Sequence, residues 1–368
     1  MRILNLPALW LAPIVVALTA CGGGDPEIND GVVLADGADR AVALAVSSPL
    51  PSDSQRIAAA TATAQSSTNA CAKVQPFYWE VGNRDGAKAA GSVGGSSIKA
   101  TTPLPYASAS KWLYSAYVVQ RAQGVLTNSD IQMLTFRSGY TQFRSCEAGQ
   151  TVDGCLATGS NGQYSAATDG RFFYNGGHME KHASLVGLGA MTSAGLSTAL
   201  RSQIGSDVAV SYSQPQPAGG AYGTPAAYAK FLRKMLGGQL RLGAMLGTSS
   251  VCTNPASCGT SQALVTPVPL EETWRYSLGH WVESDPVVGD GAFSSAGAFG
   301  FYPWIDASRA NYGILARVAP SGAGLGSVAC GRLIRKAWAT GAAQQATATS
   351  PAAPAHPGLG APAAARRR

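Results

Sequence analysis

The sequence predicts an α+β fold: one antiparallel sheet flanked by N- and C-terminal helices, with a mostly helical second subdomain. Three observations support this class. A strand pattern opens the folded body at residues 77–81, strand patterns return in its last third, and the residues between them resemble loops and short helices. Because strands at both ends of the body need partners, we expect them to meet in one sheet, with the helical middle as an insertion.

The predicted strands are runs of β-branched and aromatic residues bounded by turn residues. Residues 77–81 (Phe-Tyr-Trp-Glu-Val) precede the turn 83–86 (Asn-Arg-Asp-Gly) and a Gly-rich segment, which predicts a hairpin. In the last third, strands are predicted at 274–283, 298–305 and 312–318.

The predicted helices are recognised by apolar residues that recur about one turn apart. After Ser108, apolar residues recur at 113, 116, 117 and 118, which predicts a buried helix that ends near Gly124. A second helix is predicted at 226–236, and a third at 327–339 closes the body.

The first residues predict export. Arg2 precedes an apolar run at 8–17 that is too short to span a bilayer, and this run leads into 18–21 (Leu-Thr-Ala-Cys) and three glycines. The pattern resembles the lipobox of bacterial lipoproteins, in which cleavage leaves Cys21 as the acylated N-terminus. An ordinary signal peptide with a chance cysteine is the alternative. Glycine rather than aspartate after Cys21 resembles the outer-membrane sorting pattern, which leaves the periplasmic or the surface face open.

Composition divides the chain into four segments. We expect a lipoprotein signal peptide at 1–20 and a flexible tether at 21–70, which is rich in Ala, Ser, Thr and Asp. The folded body is expected at 71–340, followed by a disordered tail at 341–368 that is rich in Ala, Pro, Gln and Thr. The formal charge of +7 includes three terminal arginines, and no basic stripe is interleaved with aromatic residues, so we expect no nucleic-acid partner.

The seven cysteines support an exported protein, because an odd number in a secreted chain needs an explanation. Lipidation of Cys21 leaves six. The short spacings suit two local disulfides, and the remaining two cysteines would tie the ends of the body together; the expected pairs are Cys146–Cys155, Cys252–Cys258 and Cys71–Cys330. The sequence has no CxxC, and its histidines are not at ligand spacing, so we expect neither a zinc site nor another cofactor.

A candidate nucleophile and base lie three residues apart, at Ser108 and Lys111. This spacing puts both side chains on one face of a helix. A serine hydroxyl needs a nearby base to take its proton, and a lysine serves when burial makes its neutral form accessible. The helix N-terminus would also direct backbone N–H groups towards a developing oxyanion. The same S-x-x-K pattern occurs at Ser96–Lys99, but in a Gly-rich stretch before Pro103 that cannot open a long helix.

An ordered series of motifs around Ser108 resembles the serine β-lactamases, the penicillin-binding proteins and their esterase relatives, closest to the class C-like branch. Segments that resemble this branch occur in the expected order over about 75–340: 107–111 (Ala-Ser-Ala-Ser-Lys), 123–127, 134–140, 173–178 (Phe-Tyr-Asn-Gly-Gly-His), 222–225, 276–281 and 294–300 (Ser-Ser-Ala-Gly-Ala-Phe-Gly).

The resemblance implies a role for each site residue. Ser108 would form an acyl-enzyme with Lys111 as its base, and the N–H groups of Ser108 and Ala298 would form the oxyanion hole. A polar group of the second motif would protonate the leaving group. The other binding positions are Asn175 in the second motif, and Ser295 and Gly297 in the third.

Two positions depart from the family pattern. Phe173, which has no hydroxyl, stands where the family keeps tyrosine, so either a shifted loop lets Tyr174 serve or that role is lost or supplied elsewhere. Ser295-Ala296-Gly297 replaces Lys-Thr-Gly, which removes a cation that would bind a substrate carboxylate.

These residues predict a serine hydrolase that acts on a small-molecule or oligomeric ester or amide and is held at the membrane by its N-terminal lipid. One alternative is a β-lactamase or DD-peptidase. The other is a non-catalytic envelope-binding lipoprotein that keeps the fold without turnover, which the departures at Phe173 and Ser295 would explain.

Overall fold

The computed structural model of the protein describes residues 50–345. The predicted signal peptide, Cys21, the start of the tether and the end of the tail lie outside these residues. The α-helices of the described part are α1 (Asp53–Ala64), α2 (Ser110–Arg121), α3 (Asn128–Leu134), α4 (Val152–Leu156), α5 (Gly177–Ala183), α6 (Ser193–Ile204), α7 (Pro225–Leu236), α8 (Pro255–Cys258) and α9 (Gly324–Thr340). Short 3₁₀ segments lie at Ala70–Val74, Ala107–Ala109 and Arg241–Met245.

The strands are mostly short. They are β1 (Phe77–Asn83), β2 (Gly86–Val93), β3 (Leu104–Pro105), β4 (Phe172–Phe173), β5 (Val210–Tyr212), β6 (Ala221–Gly223), β7 (Val251–Cys252), β8 (Ala263–Val265), β9 (Arg275–Tyr276), β10 (Trp281–Val282), β11 (Phe293–Ser294), β12 (Tyr302–Ile305) and β13 (Asn311–Ala316).

An eight-stranded antiparallel sheet organises the body, in the order β2-β1-β13-β12-β11-β10-β9-β7. Strand β1 pairs with β13, so that Trp79 lies opposite Leu315, and it forms the predicted hairpin with β2. The two ends of the body therefore meet in one sheet, as the sequence predicts. The smaller sheets, β3-β6-β5 and β4-β8, belong to the middle of the chain.

Two predicted strands are interrupted by turns. Residues 274–283 form the hairpin β9–β10 rather than one strand, because Gly279 has a positive φ of 69° and passes close under α2. A Cβ at Gly279 would lie 2.6 Å from the carbonyl oxygen of Lys111. Residues 298–305 are extended only in β12, because Gly300, with φ of 98°, closes a turn onto the carbonyl of Gly297.

Helices cover both faces of the large sheet. Successive residues of a strand point to opposite faces. On one face Arg335 of α9 donates a hydrogen bond to the Tyr302 hydroxyl (2.7 Å), and on the other Arg233 of α7 donates one to the Tyr312 hydroxyl (2.8 Å). Among residues 50–345, no single helix is long and apolar enough to cross a membrane. The helices Gly177–Leu188 and Ser193–Ile204 reach that length and hydropathy only when they are counted together, and they are bent by 77° relative to each other.

The folded body begins earlier than predicted. The prediction of a flexible tether is wrong for residues 53–64, which form α1 behind a capping box made by Ser52 and Gln55. Small side chains let α1 approach α9 closely, and Ala60 and Ala64 are fully buried. The start of the predicted tail is ordered as well, since the N–H of Gln344 donates to the Thr63 hydroxyl (2.8 Å). Alanine contributes little to a hydrophobic pattern, which is why composition alone indicated a tether.

All three predicted disulfides are present. Cys71–Cys330 joins the segment before β1 to α9, with 4.6 Å between Cα atoms. Cys146–Cys155 and Cys252–Cys258 close short loops, with Cα separations of 5.1 and 6.4 Å. Cys146–Cys155 ties a loop to the short helix α4, and Cys252–Cys258 ties β7 to the short helix α8.

A buried ion network holds α9 against the sheet. Glu283 accepts hydrogen bonds from Arg335 (2.8 Å), Arg332 (2.9 Å) and the Tyr302 hydroxyl (2.6 Å). Arg335 also pairs with Asp290 at 2.6 Å. Burial acts to raise the pKa of Glu283, but the charges of Arg335 and Arg332 prevail and hold it at about 2. The network therefore keeps a carboxylate ionised inside the protein.

Candidate active site

Ser108 and Lys111 lie together at the start of α2. Ser108 belongs to the 3₁₀ turn Ala107–Ala109, and Lys111 to the first turn of the helix. The Lys111 amine lies 3.0 Å from the Ser108 Oγ and donates to the carbonyl oxygen of Ala218 at 2.8 Å. The two side chains are thus within hydrogen-bond reach, one helical turn apart.

The electrostatics of the site favour a lysine that can lose its proton. Lys111 is only 6% exposed, and burial lowers its pKa to about 7, against the opposing charge of Glu180. Burial therefore brings the free amine of Lys111 within reach near neutral pH. Such an amine has a lone pair that can accept the proton of Ser108.

The backbone that presents Ser108 is strained. Ala107 has a φ of 47°, in the left-handed region that residues with a Cβ rarely occupy. The adjoining Tyr106 holds it there: its N–H donates to Ala221 O (2.9 Å), and its hydroxyl donates to Thr224 O (2.8 Å). These contacts of Tyr106 maintain the strain, as is common where backbone geometry serves a function.

The predicted third motif runs beside Ser108. The Ser295 hydroxyl donates to the carbonyl oxygen of Ser108 at 3.1 Å, and the Gly297 N–H donates to Phe301 O at 2.7 Å. Within the described residues, the N–H groups of Ser108 and Ala298 donate no hydrogen bond to protein atoms. The family resemblance of the motifs assigned these two groups to an oxyanion hole, and both remain available to a ligand.

We expect Gly297→Ala to disturb this arrangement. A Cβ at Gly297 would overlap the carbonyl oxygen of Tyr106, a backbone atom that cannot rotate away. Overpacking of this kind costs about 1–3 kcal/mol. Both the melting temperature and the reaction rate of Ser108 with an active-site probe should fall. Gly86→Ala is the matched control, since a Cβ there meets nothing within 4 Å; equal behaviour of the two variants would contradict this account.

Tyr174, rather than Phe173, lies at the reactive pair. The Lys111 amine is 5.1 Å from the centre of the Tyr174 ring. Burial raises the pKa of Tyr174 to about 12, and the nearby Ser108 side chain opposes that rise. The pairing of β4 with β8 is irregular between Phe172 and Phe173. The irregularity fits the shifted loop that was one of the two outcomes left open by the sequence.

The remaining residues of the second motif shape the loop. The Asn175 amide donates to Phe143 O (3.1 Å) and accepts from Gly177 N–H (2.8 Å), so its observed contacts are with backbone rather than with Ser108. His178 lies 2.9 Å from Phe173 O, and its other nitrogen is 2.7 Å from the Ser138 hydroxyl. These contacts hold the backbone that precedes Tyr174.

Glu180 is part of the site and was not identified from the sequence. Its side chain is fully buried on α5, and it accepts a hydrogen bond from the N–H of Ala218 at 3.3 Å, the residue whose carbonyl binds Lys111. A lone glutamate in a helix ordinarily faces solvent, so no sequence signal marks it. In residues 50–345, no group of three or more His, Cys, Asp or Glu side chains could hold a metal ion.

Comparisons with known proteins identify the fold. No protein-family model matches the chain, and no curated protein matches it. Solved structures do match. EstCE1, a hydrolase with promiscuous acyltransferase activity, is 10% identical over 78% of this chain and 98% of its own, with a TM-score of 0.55. FmtA from Staphylococcus aureus is 11% identical over 75% and 86%, with a TM-score of 0.51. A beta-lactamase from Mycobacterium bovis is 13% identical over 72% and 96%, with a TM-score of 0.50.

The protein therefore has the β-lactamase/transpeptidase-like fold, and its Ser108–Lys111 pair lies at the start of the helix that follows the first hairpin. The antiparallel sheet and the helical middle predicted from the sequence are confirmed. Identities of 10–13% establish the fold alone.

Proposed function

We propose that the protein is a serine hydrolase that cleaves an ester or amide through an acyl-enzyme on Ser108, with Lys111 as general base. The observation that carries the proposal is the buried Lys111 amine 3.0 Å from the Ser108 oxygen. Burial favours its neutral form, and a neutral amine at this distance can activate a hydroxyl.

The chemistry follows from the positions of the groups. The Ser108 Oγ attacks the substrate carbonyl carbon while its proton passes to Lys111. The oxyanion that forms accepts hydrogen bonds from the N–H groups of Ser108 and Ala298. Tyr174 donates a proton to the leaving group as the bond to it breaks. A water molecule then attacks the acyl carbon and gives a proton to the Tyr174 phenolate. As the Ser108 oxygen leaves, it takes back the proton that Lys111 holds, so that all three groups are restored.

The third motif favours a substrate without a carboxylate next to the reacting carbonyl. Ser295 is 3% exposed, and its hydroxyl is hydrogen-bonded to Ser108 O. Position 295 supplies no cation to pair with an anionic substrate. A neutral ester, an oligoester or a simple amide fits this site better than a β-lactam or a D-Ala-D-Ala peptide.

The same proposal includes export and a lipid anchor at Cys21. Three disulfides support an oxidising compartment, because cytosolic thiols are kept reduced. Metabolic labelling with a clickable fatty acid tests the anchor: Cys21→Ser should lose the label, and retention of the label in that variant would remove the anchor from the proposal.

A fluorophosphonate probe tests the catalytic proposal. We expect the probe to label the wild-type protein and Ser96→Ala, the matched control in the other S-x-x-K sequence, and to leave Ser108→Ala unlabelled. Labelling that persists in Ser108→Ala would assign the nucleophile elsewhere. A folded wild-type protein that takes up no probe would support the non-catalytic alternative, and acylation of Ser108 by a penicillin probe would support the β-lactamase or DD-peptidase alternative.

A further inference from the structure

Glu180 is a buried carboxyl group with an incomplete set of partners. It is fully buried, and one oxygen accepts the Ala218 N–H at 3.3 Å. Among the residues that the structure describes, its other oxygen has no hydrogen-bond partner. Burial of a carboxyl group with an unpartnered oxygen is unfavourable, so such a group calls for a functional explanation.

The backbone of Ala218 joins Glu180 to the reactive lysine. Lys111 donates to the carbonyl oxygen of Ala218 at 2.8 Å, and the N–H of the same residue donates to Glu180. Glu180 and Lys111 therefore bind opposite sides of one residue. A negative charge on Glu180 and a positive charge on Lys111 stabilise each other across this short, buried path.

Few other charges compete with this pair. The titratable groups that face Glu180 from α2 and β5 are Tyr114 and Tyr212, whose hydroxyls are neutral because burial and the Glu180 charge raise their pKa values. On α3, which packs on α5, Asp130 is paired with His182 at 2.9 Å. The acidic residue of α4 is Asp153, and Lys181 and His182 follow Glu180 on α5 itself.

We propose that Glu180 is a positioning residue for Lys111, whose carboxylate stabilises the ammonium ion that Lys111 becomes when it takes the proton of Ser108. In that step the Ser108 O–H bond breaks, an N–H bond forms on Lys111, and the Ser108 oxygen bonds to the substrate carbonyl carbon. Burial is the largest influence on the Glu180 carboxyl and raises its pKa well above the usual range. The Ala218 N–H and the charge of Lys111 oppose that rise, so the carboxylate is favoured most at the moment when Lys111 is protonated. This inference rests on the proposed hydrolase function.

The pH dependence of fluorophosphonate labelling tests it. The labelling rate should rise as Lys111 loses its proton. Without the carboxylate, a smaller fraction of Lys111 is protonated at a given pH. The pH at which the labelling rate rises should therefore be about one unit lower in Glu180→Gln than in the wild type. Glutamine keeps an oxygen for the Ala218 N–H, and a melting curve checks that the variant is folded. Glu147→Gln, at an exposed position, is the matched control and should leave the rise in place.

Three outcomes separate the possibilities. A shift in Glu180→Gln that Glu180→Asp partly reverses supports the proposal, because aspartate restores the charge. A lower rate with an unmoved pH profile in folded Glu180→Gln overturns it, since a merely structural residue would act in that way. Absence of labelling in the wild-type protein would contradict the hydrolase function itself.

Discussion

Lys111→Met should lower the rate of Ser108 acylation by about 10²- to 10⁴-fold, the usual contribution of a positioned general base. Methionine has a similar length and suits the buried position, but it has no lone pair that can take the Ser108 proton. Lys111→Arg should lower the acylation rate by a similar factor, because a guanidinium group stays protonated. The measurement is the second-order rate constant with a fluorophosphonate or a chromogenic short-chain ester.

The dependence of the acylation rate on pH tests the same role of Lys111. Burial lowers the pKa of Lys111 to about 7, and the base is active only when unprotonated. The wild-type rate should therefore fall below about pH 7 and reach a plateau above it, and that limb should be absent in Lys111→Met. Lys99→Met is the control at the exposed S-x-x-K sequence. A Lys111→Met variant that reacts at the wild-type rate would exclude lysine as the base.

Glu283→Ala should destabilise the fold by about 3–5 kcal/mol, the cost of removing one partner of a buried ion pair. Arg335 is 3% exposed. Without Glu283, the carboxylate that remains paired with its guanidinium group would be that of Asp290, whose side chain is 46% exposed. The Tyr302 hydroxyl would also lose its acceptor. Urea unfolding measures the difference in free energy, and Glu271→Ala, at an exposed position, is the control.

The same residue predicts how stability depends on acidity. The pKa of Glu283 is about 2 in the folded protein, below its ordinary value of 4.5. Its contribution to stability is therefore complete above pH 4.5 and is lost as the pH falls towards 2. Glu283→Gln, which is uncharged at every pH, should lose less stability than the wild type over this interval. Parallel curves for the two proteins would show that Glu283 does not supply the acid sensitivity.

Features that depend on neighbours in the chain were accessible from the sequence. The helix repeat alone places Lys111 one turn after Ser108. The two short disulfides join cysteines only 9 and 6 positions apart, which cannot separate far. The hairpin of β1 and β2 follows from its own turn residues. Strands at both ends of the body implied a single sheet, although not the order of its members.

Features that depend on distant partners required the folded chain. Helix α1 is held by α9, whose residues lie far along the sequence, and alanine gave no hydrophobic signal for that contact. The ring of Tyr174 lies 5.1 Å from the Lys111 amine, a placement that depends on how the chain folds after β4. Glu180 becomes a partner of Lys111 only through Ala218, which the fold brings between them. Local periodicity specifies which residues share a face, whereas long-range packing specifies which side chains are removed from water and therefore which of them acquire altered chemistry.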